Sequence, residues 1–554
     1  MKSKKIADKI SSISMKAIFI LSALWLLLVG IGSMIITPEF VHGEHGLALA
    51  ESFRISTVVS GGFISVILSL IFGAICIIAS LVVYRAIKNL KPWVCLLIVL
   101  GYAAIFQVIW LISLDAETFV YPDTLNLIGG AQAFLNGDIS SFATHDDVTL
   151  DTSFGQYFSW YPFQAGGMLY FALIEWLFPG NYILAFQLVS ALANLIIIWM
   201  LYLITGLLFK SERYQVMLCL LVAGCLPLFY SSAFVYTNCT GFCLAAVSMY
   251  FLIRFIKEDG KARWIYFTLS FIFIGIAMVV KNTFILFALG YVIVLVIYSL
   301  QRRRILALIL GIVALLIVNS FPNLAVAYVE SAMNTDFGEG MPRSAWIAIG
   351  LDAQKFEHKP GWWTALALEN YTKANGNFAE QEALADASIE ASMHEFLSDP
   401  VFAAKFFALK VGSEWLDPTY QTLFYSSEGT HEDLIVNENP LVWSTLYDGY
   451  PLHEALILIM DAYQWSFYLL SAAAFWILFR KKRRLNSSLS LIPVILLIGV
   501  AVYALWEAKS VYILPYFIIL LPFASYGLCN LRHIIKKNLS VKHFKHNKSV
   551  SRAA

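Results

Sequence analysis

Long apolar runs separated by short charged turns are the dominant pattern of this chain. Runs of roughly 17–25 apolar residues are long enough to cross a hydrocarbon core about 30 Å thick as helices. Twelve such runs lie at 17–36, 61–84, 93–114, 182–208, 215–231, 241–256, 264–280, 283–300, 304–321, 456–479, 488–505 and 511–530. The pattern predicts an all-α polytopic membrane protein with about twelve transmembrane helices. The first run has no small-residue cleavage site, so we interpret it as a retained signal anchor.

The distribution of Lys and Arg gives the predicted orientation. With the N-terminus inside, the segments predicted to be cytoplasmic hold 29 of the 38 Lys and Arg residues. Cytoplasmic loops carry such an excess, so we expect both termini in the cytoplasm. Counting the apolar segment 164–178 as another span would place the basic segments 254–263 and 480–487 outside. We therefore predict that 164–178 is an interfacial helix on the outer side.

The spans and loops divide the chain into four parts. Residues 1–92 form an N-terminal tail with two additional spans, and 93–321 form a transmembrane module with a first outer loop at 115–163. Residues 322–455 form an extracytoplasmic domain, which we expect to be small and mainly helical because stretches such as Glu380–Leu397 have helical periodicity. Residues 456–554 hold the last spans and a basic cytoplasmic tail.

Composition agrees with a membrane protein and excludes a soluble enzyme as the whole-chain interpretation. The chain is 59% hydrophobic and 14% charged, with a mean hydropathy of +0.72. The net charge of +1 gives no sign of a nucleic-acid partner. The seven cysteines lie in or beside apolar runs, so neither a disulfide framework nor a cysteine zinc site is indicated.

Cations are rare on the predicted outer face, so their positions are informative. Lys281 and Lys509 each lie in a short outer turn, and Arg343 lies in the second outer loop. Each is a candidate to bind the phosphate of a lipid, for which the planar guanidinium of Arg343 is well suited. The simpler alternative is that the lysines extend their amines into the lipid headgroups and that Arg343 is solvated.

An acidic residue near the start of the first outer loop is the candidate general base. Asp123 follows Pro122 in the first turn of a predicted helix, where a carboxylate is favoured as a cap. It could equally activate an acceptor hydroxyl at the membrane surface. Asp115 is the alternative base, and Glu117 or the pair Asp146 and Asp147 could supply a second carboxylate.

The order of several motifs resembles the GT-C glycosyltransferases, specifically the protein O-mannosyltransferase and aminoarabinose transferase type (family 39-like). The residues that carry the resemblance are Asp123, Ala131, Gly137 and Tyr161-Pro162-Phe163 in the first outer loop, Tyr236 in SSAFVYTNCTGF, and Lys509, Tyr512 and Pro515 in WEAKSVYILPYFIILLP. The chain departs from the family in two ways. Thr124 stands where an acidic pair is frequent, and two extra spans precede the family-like part.

This resemblance implies a hexosyltransferase-type enzyme that uses a polyprenyl-phosphate sugar and inverts the anomeric carbon. Asp123 or Asp115 would be the base, and Lys509, Lys281, Arg343 and Tyr512 would hold the donor phosphate. Tyr161, Trp160, Tyr236 and Trp346 would contact sugar or acceptor. The other partners would be membrane lipids and an extracytoplasmic acceptor, namely a wall polymer, a glycolipid or a protein. A bacterial plasma membrane is the expected location.

Other interpretations of the same residues stay open. Trp160, Tyr161, Trp346, Trp362, Trp363 and Trp415 would stack on sugars or form the aromatic belt of the membrane interface. No cofactor is required, although the acid-rich first loop is compatible with a divalent cation such as Mg or Mn.

The alternative functions are a transporter or flippase, or a polymerase or ligase, of lipid-linked saccharides. Transporters carry ionisable groups at mid-membrane, whereas these predicted spans are nearly free of charge.

Overall fold

The computed structural model describes residues 2–42, 51–56, 63–115, 122–142, 154–353, 360–427, 439–447, 449–482 and 485–531. These residues form mainly helices, so the helical fold class is confirmed. One addition is an antiparallel hairpin between the first two helices, in which β1 (Thr37–His42) pairs with β2 (Glu51–Ser56).

The helices follow one another in three groups along the chain. The first group is α1 (Lys2–Ser33), α2 (Phe63–Ile87), α3 (Pro92–Leu114), α4 (Pro122–Asn136), α5 (Phe154–Trp160) and α6 (Ala165–Leu177). The second is α7 (Tyr182–Leu208), α8 (Glu212–Ala223), α9 (Leu226–Tyr230), α10 (Asn238–Lys257), α11 (Arg263–Val280), α12 (Ile285–Arg302), α13 (Leu306–Asn319) and α14 (Phe321–Met333). The third is α15 (Arg343–Gly350), α16 (Leu366–Lys373), α17 (Phe378–Ser398), α18 (Pro400–Trp415), α19 (Thr422–Ser427), α20 (Pro440–Leu446), α21 (Pro451–Phe479), α22 (Leu491–Tyr503) and α23 (Ser510–Ile518).

The number of spans in the structure is lower than twelve when it is judged by helix length and apolar composition. Among the described residues, nine helices meet that test, or up to eleven if two bent pairs each count as one span. The bent pairs are Glu212–Ala223 with Leu226–Ala233, at 65°, and Ser510–Ile518 with Leu521–Leu531, at 53°. The predicted run 488–505 corresponds to a shorter apolar helix, Ser487–Tyr503. The count of twelve therefore stays a prediction.

Helix α6 occupies the segment predicted to lie in the interface. It has 13 residues, which is about 20 Å and too short to cross the hydrocarbon core. Its C-terminal residues Leu173, Trp176 and Leu177 are at least half exposed, while its other face packs against α4 and α14. An apolar surface at one end of a short helix is typical of an interfacial helix.

The basic turns lie together at one end of the helical bundle. Arg303 pairs with Asp8 at 3.1 Å, and Arg302 pairs with Asp259 at 3.4 Å. These pairs bring the start of α1, the end of α12 and the turn between α10 and α11 to the same end. The Lys- and Arg-rich turns thus share one end of the bundle, and the placement of that end on the cytoplasmic side stays a prediction.

A buried polar cluster joins the first two helices to α21. Ser69 of α2 donates its hydroxyl to Oδ2 of Asp461 at 2.7 Å. The hydroxyl oxygen of Ser33, at the end of α1, lies 3.2 Å from Oδ1 of Asp461 and 2.8 Å from Oε1 of Gln464. Because the polar groups satisfy one another, the two helices that precede the family-like part are packed specifically into the bundle.

Close approach between helices depends on glycine at position 527. A Cβ atom there would lie 2.0 Å from the carbonyl oxygen of Leu470 on α21. We expect Gly527→Ala to destabilise the protein by about 1–3 kcal/mol, because neither backbone can yield easily. Gly101→Ala is the matched control, since its Cβ meets nothing within 4 Å. Thermal unfolding in detergent tests this, and equal midpoints for the two variants would contradict it.

Candidate functional site

The N-terminus of α4 places Asp123 at the centre of the candidate site. The Thr124 hydroxyl donates to the carbonyl oxygen of Val235 at 2.8 Å and so anchors this turn to the segment before α10. The Tyr157 hydroxyl of α5 donates to Oδ1 of Asp123 at 3.1 Å. The first turn of a helix favours an acidic residue, so Asp123 suits this position.

A buried amide links Asp123 to the neighbouring aromatic residues. Nε2 of Gln164 donates to the Tyr157 hydroxyl at 3.3 Å and to the Tyr236 hydroxyl at 2.6 Å. Burial raises the pKa of both tyrosines well above the usual range, and the negative charge of Asp123 adds to this shift. Both side chains therefore remain phenols, which can donate hydrogen bonds but carry no negative charge.

Lys281 lies on the other side of Tyr236, immediately after the end of α11. Its Nζ atom is 4.0 Å from the centroid of the Tyr236 ring and 5.9 Å from that of Tyr512, which is cation–π geometry. Burial lowers the pKa of Lys281 to about 7, Asp123 opposes this shift, and the positive charge of Lys509 adds to it. Near neutral pH the amine is thus poised between its charged and neutral forms.

The turn before α23 adds an ion pair to the site. Nζ of Lys509 lies 3.7 Å from Oε1 of Glu507, and both side chains are almost fully buried. The Tyr512 hydroxyl lies 3.5 Å from Oε2 of Glu507. Because Lys509 and Glu507 both influence the pKa of Lys281, the turn and the end of α11 belong to one electrostatic unit.

A small cleft opens beside Lys281. Its polar lining comes from Lys281, Asn238 and Thr283, and its apolar lining comes from Phe284, Phe287, Tyr503, Val511, Tyr512, Pro515 and Tyr516. One amine between apolar and aromatic walls is the chemistry that an anionic headgroup with an apolar tail requires.

The predicted aromatic contacts fall into two sets. Trp346 stacks on Trp506 with centroids 5.9 Å apart and lies 6.2 Å from the Tyr161 ring, at the edge of the site. Trp362 and Trp415 are fully buried, and Trp160 is 6% exposed. The prediction that Trp362 and Trp415 contact sugar is wrong, because both rings are buried in the protein interior. The ring of Trp160 packs near Tyr161 and Tyr371.

Two predicted polar residues lie apart from this cluster. Asp115 is exposed at the C-terminal cap of α3, where it adopts a left-handed backbone with φ of 47°. Arg343 is exposed at the start of α15, and none of the contacts between described residues joins it to Asp123 or Lys281. Glu117, Asp146 and Asp147 lie outside the described residues. In the part of the chain that the structure describes, no three His, Cys, Asp or Glu side chains form a metal-binding group.

Sequence reasoning missed three residues of the site, namely Tyr157, Gln164 and Glu507. Glu507 had a detectable signal, because a carboxylate two positions before Lys509 in an apolar segment indicates a local ion pair. Tyr157 and Gln164 had none, since their roles depend on contacts with Asp123 and Tyr236 that the chain order does not reveal.

Together, the fold and this cluster define a multi-pass helical membrane protein with acid, amine and phenol groups in one site. Residues 167–325 match the family model described as dolichyl-phosphate-mannose-protein mannosyltransferase. This match confirms, over that segment, the resemblance to GT-C glycosyltransferases. The segment includes Tyr236 and Lys281, whereas Asp123 and Lys509 lie outside it.

Solved structures provide a more distant comparison. The chain is similar to the crystal structure of ArnT from Cupriavidus metallidurans bound to undecaprenyl phosphate, with 17% identity and a TM-score of 0.34. The similarity covers 79% of this chain and 78% of that chain. A likeness at this level assigns neither residues nor ligands to this protein. No curated protein sequence matches the chain.

The lowered pKa of Lys281 predicts an effect on stability that does not depend on function. An unfolded lysine titrates near 10.5, whereas folded Lys281 titrates near 7, so its burial destabilises the protein most at or below pH 7. The penalty diminishes as the pH rises toward 10.5. At pH 7 we expect Lys281→Met to increase the free energy of unfolding by about 1–2 kcal/mol and so to raise the thermal midpoint by a few degrees. The gain should shrink by pH 10, as measured by thermal unfolding in detergent.

The surface substitution Lys373→Met is the matched control, because Lys373 is exposed and pairs only loosely with Glu369 at 3.9 Å. It should leave the midpoint unchanged at both pH values. A gain for Lys281→Met that is independent of pH would contradict the titration of Lys281.

Proposed function

We propose that the protein is a GT-C-type membrane glycosyltransferase that moves a sugar from a polyprenyl-phosphate donor to an extracytoplasmic acceptor. The observation that carries the proposal is the placement of Lys281 between the Asp123–Tyr157–Tyr236 group and an apolar cleft. The description of the matched family names dolichyl-phosphate-mannose, which is a polyprenyl-phosphate sugar. This description supports the proposed class of donor.

Asp123 is the general base of the proposed reaction. Its carboxylate accepts the proton of the acceptor hydroxyl as that oxygen forms its bond to the anomeric carbon. The Tyr157 hydroxyl donates to Oδ1 at 3.1 Å, and in this proposal the other carboxylate oxygen takes the proton of the acceptor. Attack from the side opposite the phosphate inverts the anomeric carbon.

Lys281 and Lys509 stabilise the leaving phosphate. Cleavage of the bond between sugar and phosphate puts a second negative charge on the polyprenyl phosphate, and fixed cations stabilise that charge most strongly where water is excluded. Lys281 faces the cleft, while the Glu507 carboxylate holds Lys509 nearby. The apolar walls of the cleft accommodate the first part of the polyprenyl chain.

The role of Asp123 predicts a separation of catalysis from donor binding. Asp123→Asn should lower transfer by about 10²- to 10⁴-fold, the usual contribution of a general base. The dissociation constant of the donor should change only a few-fold, because the phosphate contacts remain. Radiolabelled polyprenyl-phosphate sugars, incubated with purified protein and with membranes as the source of acceptor, provide both measurements.

Asp138→Asn is the matched control, because Asp138 lies in the same outer loop but bonds to Ser140 and Ser141 at the surface. Its transfer rate should equal that of the wild type. If Asp115→Asn abolishes transfer and Asp123→Asn does not, the base is Asp115 and the present assignment is wrong.

The pKa of Lys281 predicts how donor affinity depends on pH. The donor is a phosphodiester with one constant negative charge, so a change in affinity between pH 6.5 and 9 reports on the protein. Since the amine loses its charge above about pH 7, the affinity should fall by up to about tenfold per pH unit above that value. Binding measurements with a labelled donor across this range test the prediction.

Lys281→Arg tests the origin of this dependence, because a guanidinium stays charged throughout the range. The variant should bind the donor with nearly constant affinity between pH 6.5 and 9. An unchanged pH profile in Lys281→Arg would remove Lys281 from the phosphate site.

A further inference from the structure

The predicted extracytoplasmic domain, residues 322–455 and here called the outer domain, holds the segment 506–511, which carries Glu507 and Lys509. Nζ of Lys410 on α18 donates to the carbonyl oxygen of Trp506, and also to that of Gly350 at 2.8 Å. The backbone N–H of Ala508 donates to the carbonyl oxygen of Gly361 at 2.7 Å. The backbone on both sides of Glu507 is thus fixed by residues that lie between α14 and α19.

A buried carboxylate of the outer domain fixes the other end of the segment. The Ser510 hydroxyl donates to Oδ2 of Asp417 at 2.6 Å, and the Gln421 N–H donates to the same oxygen at 2.8 Å. Oδ1 accepts from the backbone N–H and the hydroxyl of Thr419, each at 2.8 Å. Burial raises the pKa of Asp417 to about 6 and these hydrogen bonds oppose the rise, so the group is an anion at neutral pH.

Gln421 caps helix α23 from outside the helix. Its Oε1 accepts a hydrogen bond from the Val511 N–H at 3.3 Å, which satisfies one of the amides that a helix N-terminus leaves unpaired. The N-cap residue itself is Lys509, whose side chain makes no capping bond. A cation at the positive end of a helix is unfavourable. The cap from Gln421 and the ion pair between Lys509 and Glu507 offset part of this cost.

The backbone of the capping turn is itself in an unfavourable conformation. Tyr420 and Gln421 both have left-handed φ values, of 51° and 60°. Such residues persist only where surrounding contacts impose the conformation, and they concentrate near functional sites. Here the Asp417 carboxylate imposes it through the Gln421 N–H.

We propose that Lys410, Asp417 and Gln421 are positioning residues, through which the outer domain fixes Lys509 and Glu507 opposite Asp123 and Lys281. The inference rests on the proposed function, because it assigns these residues to the placement of a phosphate-binding cation. The outer domain is then part of the catalytic machinery and more than an attachment to the bundle. None of the three residues touches the donor; each acts through the segment 506–511.

Removal of one hydroxyl tests the proposal with little disturbance. Ser510→Ala takes away the bond to Asp417, and we expect the donor dissociation constant and the donor KM to rise about three- to tenfold, within the range for the loss of one ordinary hydrogen bond. The value of kcat should fall as well, because Lys509 also stabilises the charge that develops on the leaving phosphate. Ser525→Ala is the matched control, because Ser525 is also buried in the same bent span but its hydroxyl donates locally to Pro522 at 2.8 Å.

A double-mutant cycle separates positioning from general stability. If Asp417 acts through Lys509, adding Ser510→Ala to Lys509→Ala should cause no further loss of donor affinity. Ser510→Ala and Ser525→Ala should lower the thermal midpoint by similar amounts, while only Ser510→Ala weakens the donor. Equal donor affinity in the two serine variants, or full additivity with Lys509→Ala, would overturn the inference.

The same experiment distinguishes failure of the inference from failure of the proposed function. If Lys509→Ala weakens donor binding and Ser510→Ala behaves like Ser525→Ala, the positioning role is wrong and the phosphate role stands. If Lys509→Ala leaves donor binding unchanged, the phosphate role of Lys509 is wrong, and the inference is overturned with it.

Discussion

The constraint on which this structure depends is the burial of two lysine amines in one small site. Lys281 and Lys509 repel each other and lose most of their hydration, which is unfavourable for both. Asp123 and Glu507 offset part of this penalty. The electron-rich face of the Tyr236 ring, 4.0 Å from Nζ of Lys281, offsets a further part. The long-range hydrogen bonds from α4, α5, α18 and the 417–422 turn hold these groups together, and the helical bundle supplies the rigid frame.

The sequence predicts the parts of this arrangement that have a local cause. Apolar runs give the helices because a backbone in lipid must satisfy its own hydrogen bonds. The shortness of 164–178 and the charge bias together predict an interfacial helix, and α6 has the expected length. Lys281 and Lys509 were identifiable because cations are rare on the predicted outer face, and Asp123 because it follows Pro122 in the first turn of a predicted helix.

The parts with a nonlocal cause were not predictable from the sequence. Arg343 and Asp115 belong to the same charge classes as Lys281 and Asp123, and only the fold shows that they lie elsewhere. Trp362 and Trp415 look like interface aromatics until packing places them in the interior. The cap from Gln421 to Val511 joins residues 90 positions apart, so no local pattern indicates it.

The site contains two carboxylates and two amines, and this balance has a consequence for a complete catalytic cycle. In the proposed reaction the donor brings one negative charge, the acceptor gives its proton to Asp123, and the polyprenyl phosphate gains a second negative charge. The positive charge that Asp123 gains and the negative charge that the phosphate gains cancel, so the total charge of the enclosed site is the same before and after sugar transfer. Chemistry of this kind needs no ion to enter or leave during the bond-changing step. A site beside an apolar cleft can therefore stay closed to water until the products separate.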